Sequence, residues 1–171
     1  AAESTLDEEF RVKFSKQDAT RYDYWQRMEF TPKQWAGLSE HAAEKGLIFL
    51  SSAFSVQAVE LLDALGHPAW KIGSGEYKSA DLMGAMAATG KPILLSTGMS
   101  RWSEIADSAA GIRALGVDLA LFQCTSRYPT PLDAVGLNVI DKLRDDHGCP
   151  VGLSDHSGSP FPALAALARG V

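Results

Sequence analysis

The sequence predicts an α/β fold, part of a (β/α)8 barrel of the TIM type, on three observations. Apolar runs that read as strands begin near residues 47, 70, 92, 119 and 151, at spacings of 23, 22, 27 and 32. Each run is apolar at consecutive positions, as in a parallel sheet covered on both faces. Between the runs lie stretches of helical period that end at glycines.

Taken in order, residues 1–30 are charged and aromatic without clean periodicity, and read as a lead-in loop with a helical turn around 22–28. Thr31-Pro32-Lys33-Gln34 then opens a helix. Thr31 caps, Pro32 suits the first helical position and Gln34 completes a capping box. Trp35, Leu38 and Ala42 form its apolar stripe, and Gly46 ends it. The run 47–50 is the first strand and leads into Ser51-Ser52. A helix carrying Val56, Val59, Leu62 and Leu65 stops at Gly66, before a short strand at 70–72. Helix 82–86, strand 92–95 and a longer helix from Trp102 to Leu115 follow. Strand 119–122, helix 139–143, strand 151–153 and a helix from Phe161 complete the series. Trp35, Trp102 and the leucine stripes are expected in the core.

Regular crossovers of this kind give a doubly wound sheet or a (β/α)8 barrel. A whole barrel takes about 250 residues, so about five βα units in 171 read as its middle, without the first two and the last strands. The expected organisation is a lead-in over 1–30 and a partial barrel over 31–171. Such a piece, with open strand edges, is expected to be poorly soluble alone and inactive.

Composition removes several function classes. Sixteen Lys+Arg against twenty-one Asp+Glu, a net charge of −5, argues against nucleic-acid binding, which needs a basic surface. No apolar run approaches the length that spans a bilayer, and the acidic N-terminus is unlike a signal peptide. Two cysteines outside any Cys-x-x-Cys pair fit a reduced cytoplasm, with Cys149 inert before Pro150.

The strand ends carry the chemistry. They read Ser51-Ser52, Lys71-Ile72-Gly73-Ser74-Gly75-Glu76, Ser96-Thr97-Gly98, Cys124-Thr125-Ser126-Arg127-Tyr128 and Ser154-Asp155-His156-Ser157. Singly, each has an ordinary reading: a helix cap, a flanking lysine, a turn at Tyr128-Pro129, a hydrogen-bonded loop histidine. Five in register converge on the crevice where parallel α/β folds bind ligands. Hydroxyls beside glycines at helix N-termini, with Lys71 and Arg127, suit a phosphate or carboxylate.

At these residues the chain resembles the sialic acid (N-acetylneuraminate) synthases and their nonulosonate relatives. The likeness rests on "FLSSAFS" (49–55), "WKIGSGEY" (70–77), "GKPILLSTGMS" (90–100), "FQCTSRYPTP" (122–131) and "GLSDHSGS" (152–159). It implies condensation of phosphoenolpyruvate with an N-acetylated aminosugar such as N-acetylmannosamine, with a divalent metal, Mn2+ or Mg2+, and a homodimer in the full-length protein. It implies Ser52, Lys71, Ser74, Ser96, Ser126 and Ser154 as phosphoenolpyruvate ligands, with Lys71 and Glu76 catalytic. Glu76 and Tyr128 would face the sugar, and His156 would ligate the metal, with Asp155 a candidate to orient it. Three departures stand out: Ala53 in place of a proline, Gln123 where many relatives have histidine, and Ser126 where some have asparagine. The "RVKFSKQ" segment (11–17) resembles a further lysine motif but lies too near "YDYWQRMEF", so Lys13 is given no catalytic role. Two other readings remain: a Schiff-base aldolase using Lys71, or a non-catalytic sugar- or phosphate-binding module.

Overall fold

A computed structural model describes residues 16–171, so the lead-in before residue 16, including Lys13, lies outside the described residues. The chain divides into two compact units between Leu47 and Ile48.

Among the described residues, the first unit carries two helices, α1 (Arg21–Met28) and α2 (Pro32–Glu44). Both begin in capping boxes. Thr20 pairs reciprocally with Asp23, and Thr31 with Gln34, so orphan amides at each N-terminus are satisfied. Arg27 closes on Asp18, and Phe30 meets Trp35 edge-on at 5.5 Å. No residue of either helix is buried, so the stripe of Trp35 and Leu38 is not core among the described residues.

The second unit is a run of βα modules. Helix α3 (Val56–Ala64) precedes β1 (Trp70–Ile72), α4 (Ala80–Ala88), β2 (Ile93–Ser96), α5 (Trp102–Ala114), β3 (Leu119–Cys124), α6 (Leu137–His147), β4 (Val151–Ser154) and α7 (Phe161–Leu167). The four strands are all parallel, in the order β1-β2-β3-β4. A doubly wound sheet reverses strand order at its switch point. Here the order runs one way throughout, as around a barrel wall.

Strand alternation divides the sheet into two faces. Trp70, Ile72, Ile93, Leu95, Leu119, Leu121 and Val151 are buried with Ile105, Ala109, Ile112, Ile140 and Leu143 of α5 and α6. The intervening positions, Lys71, Leu94, Ser96, Phe122, Cys124, Gly152 and Ser154, form the other face. Phe122 and Gly152 are ladder partners there, and a Cβ on Gly152 would sit 2.5 Å from the Phe122 ring. Gly152→Ala is expected to cost about 1–3 kcal/mol through overpacking, read as a lowered denaturation midpoint.

Two further expectations change. The run 47–50 forms no strand: Leu47 and Ile48 are 65% and 82% exposed, and Ser51 N–H donates instead to His67 Nε2 at 2.6 Å. Apolar sequence makes a strand only where a ladder partner satisfies its amides. The fifth βα unit is therefore present as a helix without its strand. Trp102 is 36% exposed rather than core. Its indole N–H donates to Asp146 and its ring carries the Lys142 ammonium at 4.6 Å, so it clasps α5 to α6 from the surface.

Candidate functional site

The carboxyl ends of the four strands meet around a cavity of about 300 Å³. Lys71 enters it from β1, with Gly73 and Ser74 just beyond that strand; Ser96 enters from β2. Cys124 and Ser126 come from the end of β3, and Ser154 and His156 from the end of β4. Ser96 lies opposite Phe122 and Cys124 opposite Ser154 in the ladder, so the period of two puts all four on one face. Met99 and Tyr128 stand at the rim, each 72% exposed.

Lys71 is the cavity's ammonium. Its Nζ donates to Ser96 Oγ at 2.5 Å and to the Ile72 carbonyl at 3.3 Å, and lies 5.5 Å from the Phe122 ring centre. Burial pushes its pKa below the ordinary lysine value, and the nearby Cys124 sulfur works in the opposite direction. An anion placed beside it would hold the proton that burial loosens.

Gly98 makes the cradle possible. A Cβ there would fall 2.5 Å from both Ser74 Oγ and Ser126 Oγ, and 3.0 Å from Cys124 Sγ. Three side chains from two strand ends thus crowd the space that Gly98 leaves. Ser74 Oγ is buried with no hydrogen-bond partner. A buried hydroxyl in that state is costly unless a ligand completes it.

The β3–α6 connection is tied down by its threonines. Thr125 Oγ1 donates to the Ala134 carbonyl at 2.8 Å, and Thr130 Oγ1 to the Arg127 carbonyl at 2.6 Å. Thr130 N–H donates to the His156 carbonyl at 2.9 Å, which joins this loop to the end of β4. The Tyr128 and His156 rings then lie 4.4 Å apart. His156 Nδ1 sits 3.4 Å from the Thr125 carbonyl, and as donor there it leaves Nε2 as the lone-pair nitrogen. Asp155 does not orient His156. Its carboxylate accepts from Ser157 N–H at 3.1 Å and Ser157 Oγ at 2.8 Å, a local turn that points it away.

The cavity therefore gathers Lys71, Ser74, Ser96, Ser126, Tyr128, Ser154 and His156, but not Ser52 or Glu76. Ser52 is half-buried at the end of the unpaired segment. Glu76 is half-buried on a 3-10 turn (Glu76–Lys78), folded back with its Cγ 3.8 Å from where a Gly73 side chain would start. Arg127 is exposed and outside the lining. Sequence reasoning gave no role to Cys124 or Met99 and missed the packing role of Gly98. Cys124 was findable, since it is two residues from both Phe122 and Ser126. Gln123 is structural: buried, it donates to the Val135 carbonyl at 3.0 Å.

A divalent metal fits these residues only in part. His156 offers one nitrogen, and among the described residues no group of three or more His, Cys, Asp or Glu side chains could hold an ion. A larger cavity of about 470 Å³ opens at the amino ends of β3 and β4, beside Arg113, Asp118 and Cys149. Parallel barrels take ligands at the opposite end. Burial pushes the Cys149 thiol up, which keeps it protonated and inert.

Known proteins resemble this chain in sequence and fold. The pseudaminic acid synthase of Helicobacter pylori is 40% identical over 147 residues, covering 84% of this chain and 43% of that protein. The N,N'-diacetyllegionaminic acid synthase of Campylobacter jejuni is 32% identical over 94% of this chain and 49% of its own length. The crystal structure of the N-acetylneuraminic acid (sialic acid) synthetase of Leptospira borgpetersenii, in complex with citrate, superposes with a TM-score of 0.76 at 30% identity, over 80% of this chain and 48% of that one. The chain spans about half the length of the curated relatives it matches. Among the described residues, no helix is long and apolar enough to cross a membrane. The sequence profile of the NeuB family matches residues 1–171, and with an α/β architecture built as part of a (β/α)8 barrel, the chain belongs to the NeuB family.

Proposed function

We propose that this chain is the phosphoenolpyruvate-holding part of an enzyme that condenses phosphoenolpyruvate with an N-acetylated aminosugar to give a sialic acid-type nonulosonate and phosphate. One observation carries the reading: serines from four successive strand ends and the Lys71 ammonium face a single cavity, where Ser74 Oγ lacks a partner. The names of the relatives support it, since each is a synthase of such an acid.

In this reading Lys71 neutralises the phosphate while Ser74 and Ser126 donate to its oxygens across Gly98. Ser96 holds the ammonium in place, and Ser154 completes the floor. Preorganised donors of this kind do not reorient as charge shifts during reaction. Carbon 3 of phosphoenolpyruvate then attacks the sugar aldehyde, water adds at carbon 2, and phosphate leaves by carbon–oxygen cleavage. Tyr128 at the rim faces the sugar, and Glu76 and Ser52 act from the flanking segments. A bound Mn2+ or Mg2+ would supply Lewis acidity at the aldehyde. His156 Nε2 is the ligand this chain offers it. Cytoplasmic synthesis and a homodimer belong to the same proposal.

Calorimetry of this chain with phosphoenolpyruvate, inorganic phosphate and pyruvate tests the reading. Phosphoenolpyruvate should bind more tightly than either fragment. Equal affinity for pyruvate would overturn the phosphate assignment. The pH dependence has a definite sign. Because burial lowers the Lys71 pKa, its charge is lost at lower pH than that of an ordinary lysine. Phosphoenolpyruvate affinity should fall as pH rises through that lowered value, and Lys71→Arg should flatten the fall.

The same lowered pKa favours a second reading, a Schiff-base aldolase, since a neutral amine is nucleophilic. Borohydride trapping with pyruvate separates the two. A covalent adduct at Lys71 supports the aldolase, and its absence leaves the anion-binding role.

A further inference from the structure

His67 is buried, 1% exposed, in the turn between α3 and β1. Its ring stacks on Trp70, with centroids 5.6 Å apart at 29°, and meets Phe49 edge-on at 5.5 Å. Its Nε2 accepts the Ser51 N–H at 2.6 Å. An imidazole nitrogen that accepts carries a lone pair, so the proton resides on Nδ1. That Nδ1 is buried and has no hydrogen-bond partner. The segment it holds, 47–52, has no ladder, and leads directly to Ser52 and the buried Ala53.

We propose that neutral His67 is a positioning residue, a latch that fixes the Ser51-Ser52 segment beside the sheet and lets it go when the imidazole is protonated. Protonation replaces the lone pair with a second N–H, which then confronts the Ser51 N–H. Both donors would be buried and unsatisfied. Burial, the flanking rings and Lys91 oppose the charged form, and the Ser51 backbone works in the other direction without overcoming burial. Trp70 and Phe49 present rings, the Trp70 indole N–H is committed to Thr89 Oγ1 at 2.8 Å, and Lys91 adds positive charge nearby. The carboxylate in the vicinity, Asp63 of α3, is paired with Lys91 at 2.5 Å. Burial accordingly pushes the His67 pKa down. The unfolded chain then takes a proton that the folded chain refuses. The His67 contribution to stability is therefore fully present above about pH 6.5 and is lost as pH falls from there through its lowered folded-state value.

The effect on ligand binding rests on the proposed function, through Ser52; the latch itself does not. The test is nuclear magnetic resonance of the 15N-labelled full chain between pH 5 and 8. The His67 ring should titrate below ordinary histidine, and the Ser51 amide protection factor should fall at least tenfold over the same range. His67→Gln places a non-titrating carboxamide oxygen at the accepting position. It should keep Ser51 protected with a flat pH profile. Ser51 protection that ignores the His67 titration would overturn the latch, and so would a His67→Gln profile like that of the parent. If the variant does not fold, the parent titration alone decides. Phosphoenolpyruvate affinity, measured in parallel, should weaken with the loss of Ser51 protection. If protection follows His67 while affinity does not, the latch stands and Ser52 has no part in binding. If phosphoenolpyruvate fails to bind at any pH, the proposed function falls and the amide data still judge the latch.

Discussion

Lys71→Met is expected to weaken phosphoenolpyruvate binding by about 30- to 1,000-fold, the equivalent of losing about 2–4 kcal/mol of charge-assisted contact in a shielded site. Methionine keeps the length and apolar stem, so Phe122 retains its neighbour and the sheet its packing. What is lost is the ammonium, and with it the donor to Ser96 Oγ. The loss should be smaller for pyruvate, which lacks the phosphate. Calorimetry with both ligands checks this, and an unchanged affinity for phosphoenolpyruvate would remove Lys71 from the site. Lys71→Arg should fall between, because a guanidinium keeps the charge and needs more room.

Gly98→Ala should be at least as damaging to binding and more damaging to the fold. The added methyl would meet two hydroxyls at 2.5 Å and a sulfur at 3.0 Å. Relief requires Ser74 and Ser126 to rotate away together, which dismantles the cradle, or the loop after β2 to lift. Overpacking of this kind costs about 1–3 kcal/mol of stability. Combining Gly98→Ala with Ser126→Gly should recover part of the stability, since Ser74 Oγ still meets the methyl, without recovering affinity. Thermal denaturation and calorimetry on the two variants separate the effects. If Gly98→Ala binds phosphoenolpyruvate like the parent, the hydroxyls over Gly98 are not its ligands.

The pattern of βα modules was legible in the sequence because each boundary has a local cause. The Thr31–Gln34 capping box needs no distant partner, and neither do the glycines after α4 and α5, Gly90 and Gly116, at φ of 71° and 77°. Strand 47–50 was misread because hydrophobicity records only a wish to be covered, whereas a strand also needs a neighbour's carbonyls. Trp102 was misplaced for a related reason. A large apolar ring can be stabilised at the surface by a cation and a carboxylate, here Lys142 and Asp146, which no helical period reveals.

The site was legible at ladder positions and less so beyond them. Lys71, Ser96 and Ser154 follow from strand period and register, and all three line the cavity. Arg127 and Asp155 lie on connections, where a preference for local turns decides direction. The Asp155 carboxylate was claimed by Ser157 two residues away, a contact that competes with any longer reach. Gly98 reads as a helix-approach glycine in sequence, and only its contacts show that it clears space for three side chains.

The cavity's two kinds of wall have different freedom to change. Lys71, Ser96, Cys124 and Ser154 belong to hydrogen-bonded strands, where an altered side chain disturbs register partners on either side. Met99 and Tyr128 are each 72% exposed on loops, outside the hydrogen-bonded ladder. A lineage built on this plan can therefore exchange the molecule met at the rim while inheriting its floor unchanged. New specificities would arise by drift at a few loop positions, with no passage through an unstable ancestor.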